Sequence, residues 1–168
     1  NAIDDEIPVQ KVKAKMIRAK IENDPYHDGS KPDIALDDQD KQKITLTGEW
    51  EIREEFMDPF RGSYLVSESP QNSTVRFTHV FQKSGRYMVK YNCPDLDKTK
   101  LPKKVTIRVK YANNKQTVTI NMDANRNGWA HLGTFDFNAN EETYVEVVGN
   151  NSNSPVIADA ILFVPSNK

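Results

Sequence analysis

The most constraining feature of this chain is an alternation of apolar and polar residues that begins near Lys43 and continues to Val164. Apolar side chains recur at every second position, as at Val75 and Phe77, in short runs that polar and turn residues separate. A period of two places successive side chains on opposite faces of a strand. The pattern therefore predicts an all-β chain, an antiparallel β-sandwich of jelly-roll type with about nine strands.

We expect the strands at the following segments: KITLTGEWEIRE, SYLVSE, TVRFTHVF, RYMVKYNC, KVTIRVKYA, QTVTINM, HLGTFDF, TYVEVVG and PVIADAILFV. In the last segment, apolar residues occupy both faces, and only Asp159 interrupts them. Such a run is typical of a central strand that is covered on each side. We therefore expect this strand in the middle of a sheet.

The stretch before Lys43 has a different character. Residues Val9–Ile21, VQKVKAKMIRAKI, place apolar side chains at helical spacing with Lys and Arg between them, which predicts a short amphipathic helix. A segment rich in proline and acidic residues follows, including the sequence LDDQD, and is typical of a linker. The sequence predicts a helical and linker segment at residues 1–42 and a β-sandwich domain at residues 43–168.

The charge balance narrows the classes of partner. The 168 residues include 23 basic and 24 acidic side chains, so a net charge of −1 favours neither nucleic acid nor an anionic membrane. A single cysteine, Cys93, excludes an internal disulfide and a site built on several thiolates. Since no apolar run approaches the ~20 residues that cross a bilayer, we expect no membrane span. The chain starts with Asn1 and shows no signal peptide, so we expect a processed or excised part of a longer protein.

Several motifs occur in an order that is familiar from one domain family. They include GEW at Gly48–Trp50, SGRYMVKY at Ser84–Tyr91, GWAHLGTFDF at Gly128–Phe137 and VIADAILF at Val156–Phe163. Together they resemble the golvesin C-terminal-like domain, which is also described as a xanthan-lyase carbohydrate-binding-like domain. The resemblance covers about the last three quarters of the chain.

This resemblance implies a non-catalytic accessory module of a larger bacterial enzyme outside the cytoplasm, either periplasmic or secreted. Members of the family are attached to polysaccharide lyases, hydrolases and FAD-dependent oxidoreductases. The expected partners are a polysaccharide and a parent catalytic domain, and no cofactor is expected on this chain. The alternative is a structural domain that packs on the catalytic part of an FAD-dependent oxidoreductase or mediates oligomerisation.

Three aromatic side chains are candidates for sugar contact: Trp129, Trp50 and Tyr111. Pyranose rings present C–H faces that stack on flat aromatic surfaces, and an indole N–H can also donate a hydrogen bond. Trp129 is the favoured candidate because it begins a predicted strand beside a polar segment. The competing interpretation is core packing, which accounts for most aromatic residues in a small sandwich.

Asp159 is a fourth candidate, because a carboxylate inside an apolar strand is costly unless other groups satisfy its oxygens. Two interpretations remain open. The carboxylate accepts hydrogen bonds from a neighbouring loop, or it contacts a ligand or an ion.

The order D-x-N-x-N-G at Asp123, Asn125 and Asn127 is how an EF-hand calcium loop begins. However, position 12 of that loop is Thr134 instead of Glu, and strands instead of helices flank the segment. We therefore expect a polar hairpin turn here, with a calcium site as the weaker alternative. Because the sequence also offers no recognisable catalytic motif, it predicts that this chain is not an enzyme.

Overall fold

The computed structural model describes residues 26–54, 63–68, 71–94, 103–122, 124, 128–149 and 155–167. In these residues the chain forms twelve β-strands and one 3-10 turn at Lys41–Lys43. The strands are β1 (Ile34–Asp37), β2 (Ile44–Thr47), β3 (Glu51–Glu54), β4 (Ser63–Ser67), β5 (Thr74–Val80), β6 (Gly85–Cys93), β7 (Lys104–Tyr111), β8 (Asn114–Asn121), β9 (Gly128–Phe137), β10 (Glu142–Val148), β11 (Val156–Ala158) and β12 (Ala160–Pro165).

The strands form three antiparallel sheets. A five-stranded sheet has the order β2-β5-β10-β7-β8, a four-stranded sheet has the order β1-β12-β6-β9, and a three-stranded sheet has the order β11-β4-β3. Strands β11 and β12 are separated only by Asp159, so one nearly continuous segment passes from the three-stranded to the four-stranded sheet. The expected antiparallel β-sandwich is therefore confirmed.

The core lies between the sheets and is built from the alternating residues. One buried cluster joins side chains from the four-stranded sheet, such as Val89 and Phe163, to side chains from the five-stranded sheet, such as Phe77 and Ile107. Stacked and edge-on aromatic contacts, including a distance of 5.3 Å between the Phe81 and Phe163 ring centroids, fill the space between the layers. As the sequence predicts, the doubly apolar strand β12 lies inside its sheet, between β1 and β6.

Two predicted strands are each divided in the structure. The first, KITLTGEWEIRE, becomes β2 and β3, which pair with different sheets. Gly48 lies at the division with φ +84°, and a Cβ atom there would lie 2.4 Å from Ser73 Oγ, so the turn requires glycine. The last predicted strand divides at Asp159. In both cases the chain changes sheets at a residue that interrupts the apolar alternation.

Part of the predicted linker belongs to the sandwich. Strand β1 pairs with β12 along its whole length, with Asp37 opposite Ala160, although its residues lie within the segment expected to be a linker. The division between residues 42 and 43 stays a prediction, but the ordered fold includes this earlier strand. The predicted helix at Val9–Ile21 lies outside the described residues. Within the described part of the chain, no helix has the length and apolar character needed to cross a membrane.

A bulge in β9 decides which side chains of this strand face the core. Val89 lies opposite Gly133, whereas the next residue, Lys90, lies opposite His131, so the residue between them is extra. The extra residue, Leu132, shifts the alternation by one position. Phe135 on one side of the bulge and Ala130 on the other are both in the core. Without the bulge, Trp129 would share the side of Phe135; with it, Trp129 lies on the opposite face.

Candidate functional site

The outward face of the four-stranded sheet is the part of the molecule where the sequence-based candidates meet. Met88, Leu162 and Val164 point away from the main core and form a second buried cluster. Trp129 is half-buried and packs against this cluster together with Ala35. A sheet face that is buried outside the main core is unusual in a small sandwich, where one face commonly meets solvent.

Asn92 links Trp129 to Asp159. In the pairing of β6 with β9, Asn92 lies directly opposite Trp129, so the two side chains share the outward face. The side-chain amide of Asn92 donates a hydrogen bond of 2.5 Å to Asp159 Oδ2. Two of the four predicted candidates, Trp129 and Asp159, are thus separated by a single side chain.

The other two candidates lie elsewhere. Trp50 follows β2, packs against the main core and donates its indole N–H to the carbonyl of Thr47 at 3.0 Å. Tyr111 ends β7 and also packs on the main core, with its ring centroid 4.8 Å from that of Phe135. The structure does not bring these two rings to the face that carries Trp129, so a single sugar platform of all three aromatic residues is not formed.

Beside Asn92, three carboxylates meet in the interior. Asp37 and Asp38, at the end of β1, and Asp159, between β11 and β12, each present an oxygen atom, and these atoms lie within 4.8 Å of one another. All three residues are buried, with exposed fractions of 0%, 5% and 0%. Burying several ionised carboxylates together strongly destabilises a folded protein unless other groups compensate their charges.

The backbone and neighbouring hydroxyl groups fix this arrangement. The amide of Asp38 donates to the carbonyl of Asp159 at 3.3 Å, which ties the end of β1 to the junction of β11 and β12. Ser63 Oγ donates to Asp38 Oδ2 at 2.6 Å, and Gln39 donates to the same Ser63 oxygen at 3.0 Å. Elements from three separate parts of the chain therefore position the cluster.

The pKa values of groups in and near the cluster are strongly shifted. Burial is the largest cause that raises the pKa of Asp37, to about 10 from its usual 3.8. A side-chain hydrogen bond between Asp37 and Asp38 and the negative charges of Asp38 and Asp159 raise it further. Burial also raises the pKa of the nearby Cys93 thiol to about 12, so this cysteine is neutral and unreactive at physiological pH.

Sequence reasoning identified Asp159 but not its two acidic neighbours. In the sequence, Asp37 and Asp38 belong to an acidic segment typical of a linker, and nothing local shows that they lie beside a residue more than 120 positions away. The available signal is the apolar run of β1, Ile34–Leu36, directly before the pair of acids, because such a run is typical of a strand.

The proposed EF-hand-like residues, Asp123, Asn125 and Asn127, lie outside the described residues. The strands on either side do bear on the interpretation of a hairpin. Strand β8 pairs with β7 in the five-stranded sheet, whereas β9 pairs with β6 in the four-stranded sheet. Strands β8 and β9 therefore belong to different sheets and do not pair as the two arms of a hairpin.

Comparison with known protein families identifies the family of this chain. Residues 34–165 match the Golvesin C-terminal domain, a match that includes every strand described above. The chain belongs to this family. The match begins at the first residue of β1, which agrees with the pairing of that strand in the sandwich. No curated protein has significant sequence similarity to this Golvesin C-terminal domain.

Three solved structures illustrate the fold. A part of Paenibacillus xanthan lyase is 24% identical with a TM-score of 0.72, over 79% of this chain and 13% of that chain. A Podospora anserina GH26-CBM35 β-(1,4)-mannanase is 15% identical with a TM-score of 0.55, over 81% of this chain and 28% of that chain. A family 35 carbohydrate binding module from Clostridium thermocellum is 16% identical with a TM-score of 0.52, over 78% of this chain and 98% of that chain.

The three structures differ in the fraction of their own length that this chain matches. This chain spans a small fraction of the two enzymes, but it matches nearly the whole of the isolated carbohydrate binding module. At these identities, the comparisons establish a common β-sandwich fold.

Proposed function

We propose that this chain is a non-catalytic, carbohydrate-binding accessory module of a larger bacterial enzyme that acts outside the cytoplasm. The observation that carries the proposal is the match of nearly a whole family 35 carbohydrate binding module to this Golvesin C-terminal domain. Support comes from the xanthan lyase and the mannanase, in which a similar domain is part of a polysaccharide-active enzyme.

Trp129 is the residue that we assign to sugar contact. The β9 bulge places this side chain on the outward face, where part of its surface remains accessible. The side chain packs on the cluster of Met88, Leu162 and Val164, and this contact restricts the orientation of the indole. A rigid aromatic surface loses little conformational entropy when a pyranose ring stacks on it. Trp50 and Tyr111 are also partly buried, but they pack on the main core, and Asp159 is fully buried, so these three are weaker candidates for direct contact.

The proposal is tested by affinity electrophoresis of the purified chain in gels that contain xanthan or β-1,4-mannan. We expect one of these polysaccharides to retard the chain, and Trp129→Ala to abolish most of the retardation. Thr134→Ala is the matched control, because Thr134 is an exposed residue of the same strand. Migration that neither polysaccharide changes, or retardation that survives Trp129→Ala, would contradict the proposal.

A second candidate function is docking on a parent catalytic domain or on a second copy of the chain. Leu46 on β2 and Ile52 on β3 are 46% and 57% exposed, and both lie on strands at the edge of a sheet. Exposed edge strands with apolar side chains are prone to association. Sedimentation velocity would detect self-association, and Leu46→Ser together with Ile52→Thr should remove it if this surface is responsible.

A further inference from the structure

The proposed sugar binding does not explain the buried cluster of Asp37, Asp38 and Asp159. A stacking surface for sugar uses an exposed ring, whereas these carboxylates are completely or almost completely buried. Three oxygen atoms within 4.8 Å of one another surround a space of the size that one small cation requires. The geometry alone would also suit carboxyl groups that share protons, so a second observation is needed.

That observation is the second oxygen of Asp38. Oδ2 of this residue accepts a hydrogen bond from Ser63, but Oδ1 is buried and accepts no hydrogen bond from a described residue outside the cluster. A buried carboxylate oxygen without a donor is destabilising, and native structures rarely leave one. Asp38 is only 5% exposed, and its carboxylate supplies one of the three oxygen atoms of the cluster.

Neighbouring side chains prepare the cluster to receive a positive charge. Asn92 donates to Oδ2 of Asp159, and Ser63 donates to Oδ2 of Asp38, so one oxygen of each carboxylate is oriented by a neutral donor. Donors of this kind orient metal ligands in proteins. The three carboxylates lie in the same enclosed space, and a bound cation would offset the repulsion among their negative charges.

We propose that Asp37, Asp38 and Asp159 bind one divalent cation, and that Ca²⁺ is the expected ion. The donor atoms are all carboxylate oxygens, which hard cations prefer, and the buried Cys93 thiol contacts Met122 instead. Ca²⁺ takes six to eight oxygen ligands at flexible geometry, so backbone carbonyls and water complete its shell more readily than the strict octahedron of Mg²⁺.

The ion has a structural consequence because its ligands come from opposite ends of the described sequence. Asp37 and Asp38 follow the first strand, and Asp159 lies between the last two strands. A cation at this point holds β1 against the junction of β11 and β12, where the chain changes sheets. Binding to the native state alone stabilises it in proportion to the logarithm of the cation concentration.

The test uses the purified full chain after dialysis against EDTA and then against chelator-free buffer at neutral pH. We expect calorimetric titration with CaCl₂ to give one site per chain. We also expect saturating Ca²⁺ to raise the Tm by about 5 °C or more, and EDTA to reverse the rise. No glycan is present in this experiment, so its failure leaves the proposed sugar binding untouched, and the reverse also holds.

Asp38→Asn tests the assigned ligand, because it keeps the shape of the side chain and removes its charge. We expect its affinity for Ca²⁺ to fall about tenfold or more and the shift in Tm to disappear. Asp136→Asn is the matched control, since Asp136 is an exposed carboxylate on β9 that pairs with Arg86. This control should keep the Ca²⁺ response of the original chain.

Three outcomes would overturn the proposal. The first is a folded original chain that gives neither heat nor a shift in Tm with Ca²⁺ or Mg²⁺, which would mean that the carboxyl groups share protons. The second is Asp38→Asn with an unchanged Ca²⁺ response. The third is an equal loss in Asp136→Asn, which would indicate surface binding. If Asp38→Asn does not fold, Asp37→Asn replaces it with the same expected result.

Discussion

The outward faces of the two main sheets differ in whether a buried carboxylate lies beside positive or negative side chains. On the five-stranded sheet, Glu146 has a side chain that is only 7% exposed, and it lies between Arg76 at 2.9 Å and Arg108 at 3.6 Å. On the four-stranded sheet, Asp37 and Asp159 lie beside another carboxylate. The first face is neutralised by its own cations, whereas the second gathers like charges.

This difference indicates where in the fold buried carboxylates depend on a ligand from outside the chain. Glu146 is one row in a regular ladder, with Arg76 opposite it on β5 and Arg108 opposite it on β7. The aspartates lie where that regularity fails, at the end of β1 and at the break between β11 and β12. A regular sheet can supply partners from neighbouring strands. An irregular junction brings together side chains that are not cross-strand neighbours.

The largest effect is expected from Asn92→Asp, which would place a fourth carboxylate beside Asp159. In EDTA we expect the free energy of unfolding to fall by about 3–5 kcal/mol, because a hydrogen bond between unlike groups becomes a repulsion between like charges. Urea denaturation measures this change. Asn92→Ala, which only loses the donor, should cost about 1.5–3 kcal/mol. Equal stability of Asn92→Asp and the original chain in EDTA would show that the cluster is not ionised.

A smaller loss is expected from Gly133→Ala, which acts on the bulge that directs Trp129 outward. Gly133 has φ +149°, and a Cβ atom there would lie 2.7 Å from the ring of Phe135. Strain and overpacking should together lower the free energy of unfolding by about 2–3 kcal/mol. Tryptophan emission, measured in a Trp50→Phe background, should shift as Trp129 moves.

Gly29→Ala is the matched control for the bulge, since a Cβ atom at Gly29 would have no neighbour within 4 Å. Its stability and emission should equal those of the original chain. If Gly133→Ala is as stable as this control, the bulge is not needed to place Trp129.

On the opposite face we expect Glu146→Gln to have a moderate effect. Arg76 and Arg108 have side chains that are 38% and 49% exposed, so water solvates them after the negative charge is removed. The glutamine can still accept a hydrogen bond from Arg76, and the guanidinium remains over the Tyr144 ring at 3.9 Å. The free energy of unfolding should fall by about 1 kcal/mol, and less at high salt. If Glu146→Gln lowered the free energy of unfolding as much as Asn92→Asp, the two faces would not differ in how buried charge is compensated.

The smallest effect is expected from Arg86→Gln, which breaks an exposed ion pair on the four-stranded sheet. Hydrogen bonds from Arg86 hold the pKa of Asp136 below its usual 3.8. A lowered pKa contributes stability above pH ~4 that is lost as the pH falls through the native pKa. Both groups are exposed, so we expect no measurable change in stability at neutral pH. An NMR titration should show the pKa of Asp136 returning toward 3.8, and an unchanged pKa would mean that the pair does not form in solution.

The sandwich was predictable because its signal is local. Alternation at Val105, Ile107 and Val109 predicts a buried face, and the structure buries all three side chains in the main core. The same reasoning missed β1, whose four residues are too short to show a period and are followed by acids. It also could not divide the first predicted strand, since the positive φ of Gly48 is a tertiary requirement imposed by Ser73.

The site was less predictable, because its parts are distant in sequence. Asp159 stands out as a lone acid in an apolar strand, so the sequence marks it as unusual. Its neighbours Asp37 and Asp38 become visible only when β1 is paired with β12. The orientation of Trp129 depends on the single extra residue in β9, and no alternation rule predicts such a bulge.

The pairing of the first strand with the last also determines how the domain responds to a pulling force. Ile34 lies opposite Phe163, and the amide of Asn167 donates to the carbonyl of Tyr26 at 2.8 Å, so the two ends of the described chain leave side by side. A force that separates these ends would load the hydrogen bonds between β1 and β12 one at a time instead of all together. The domain should therefore open like a zipper at low force, from this edge toward the aspartates.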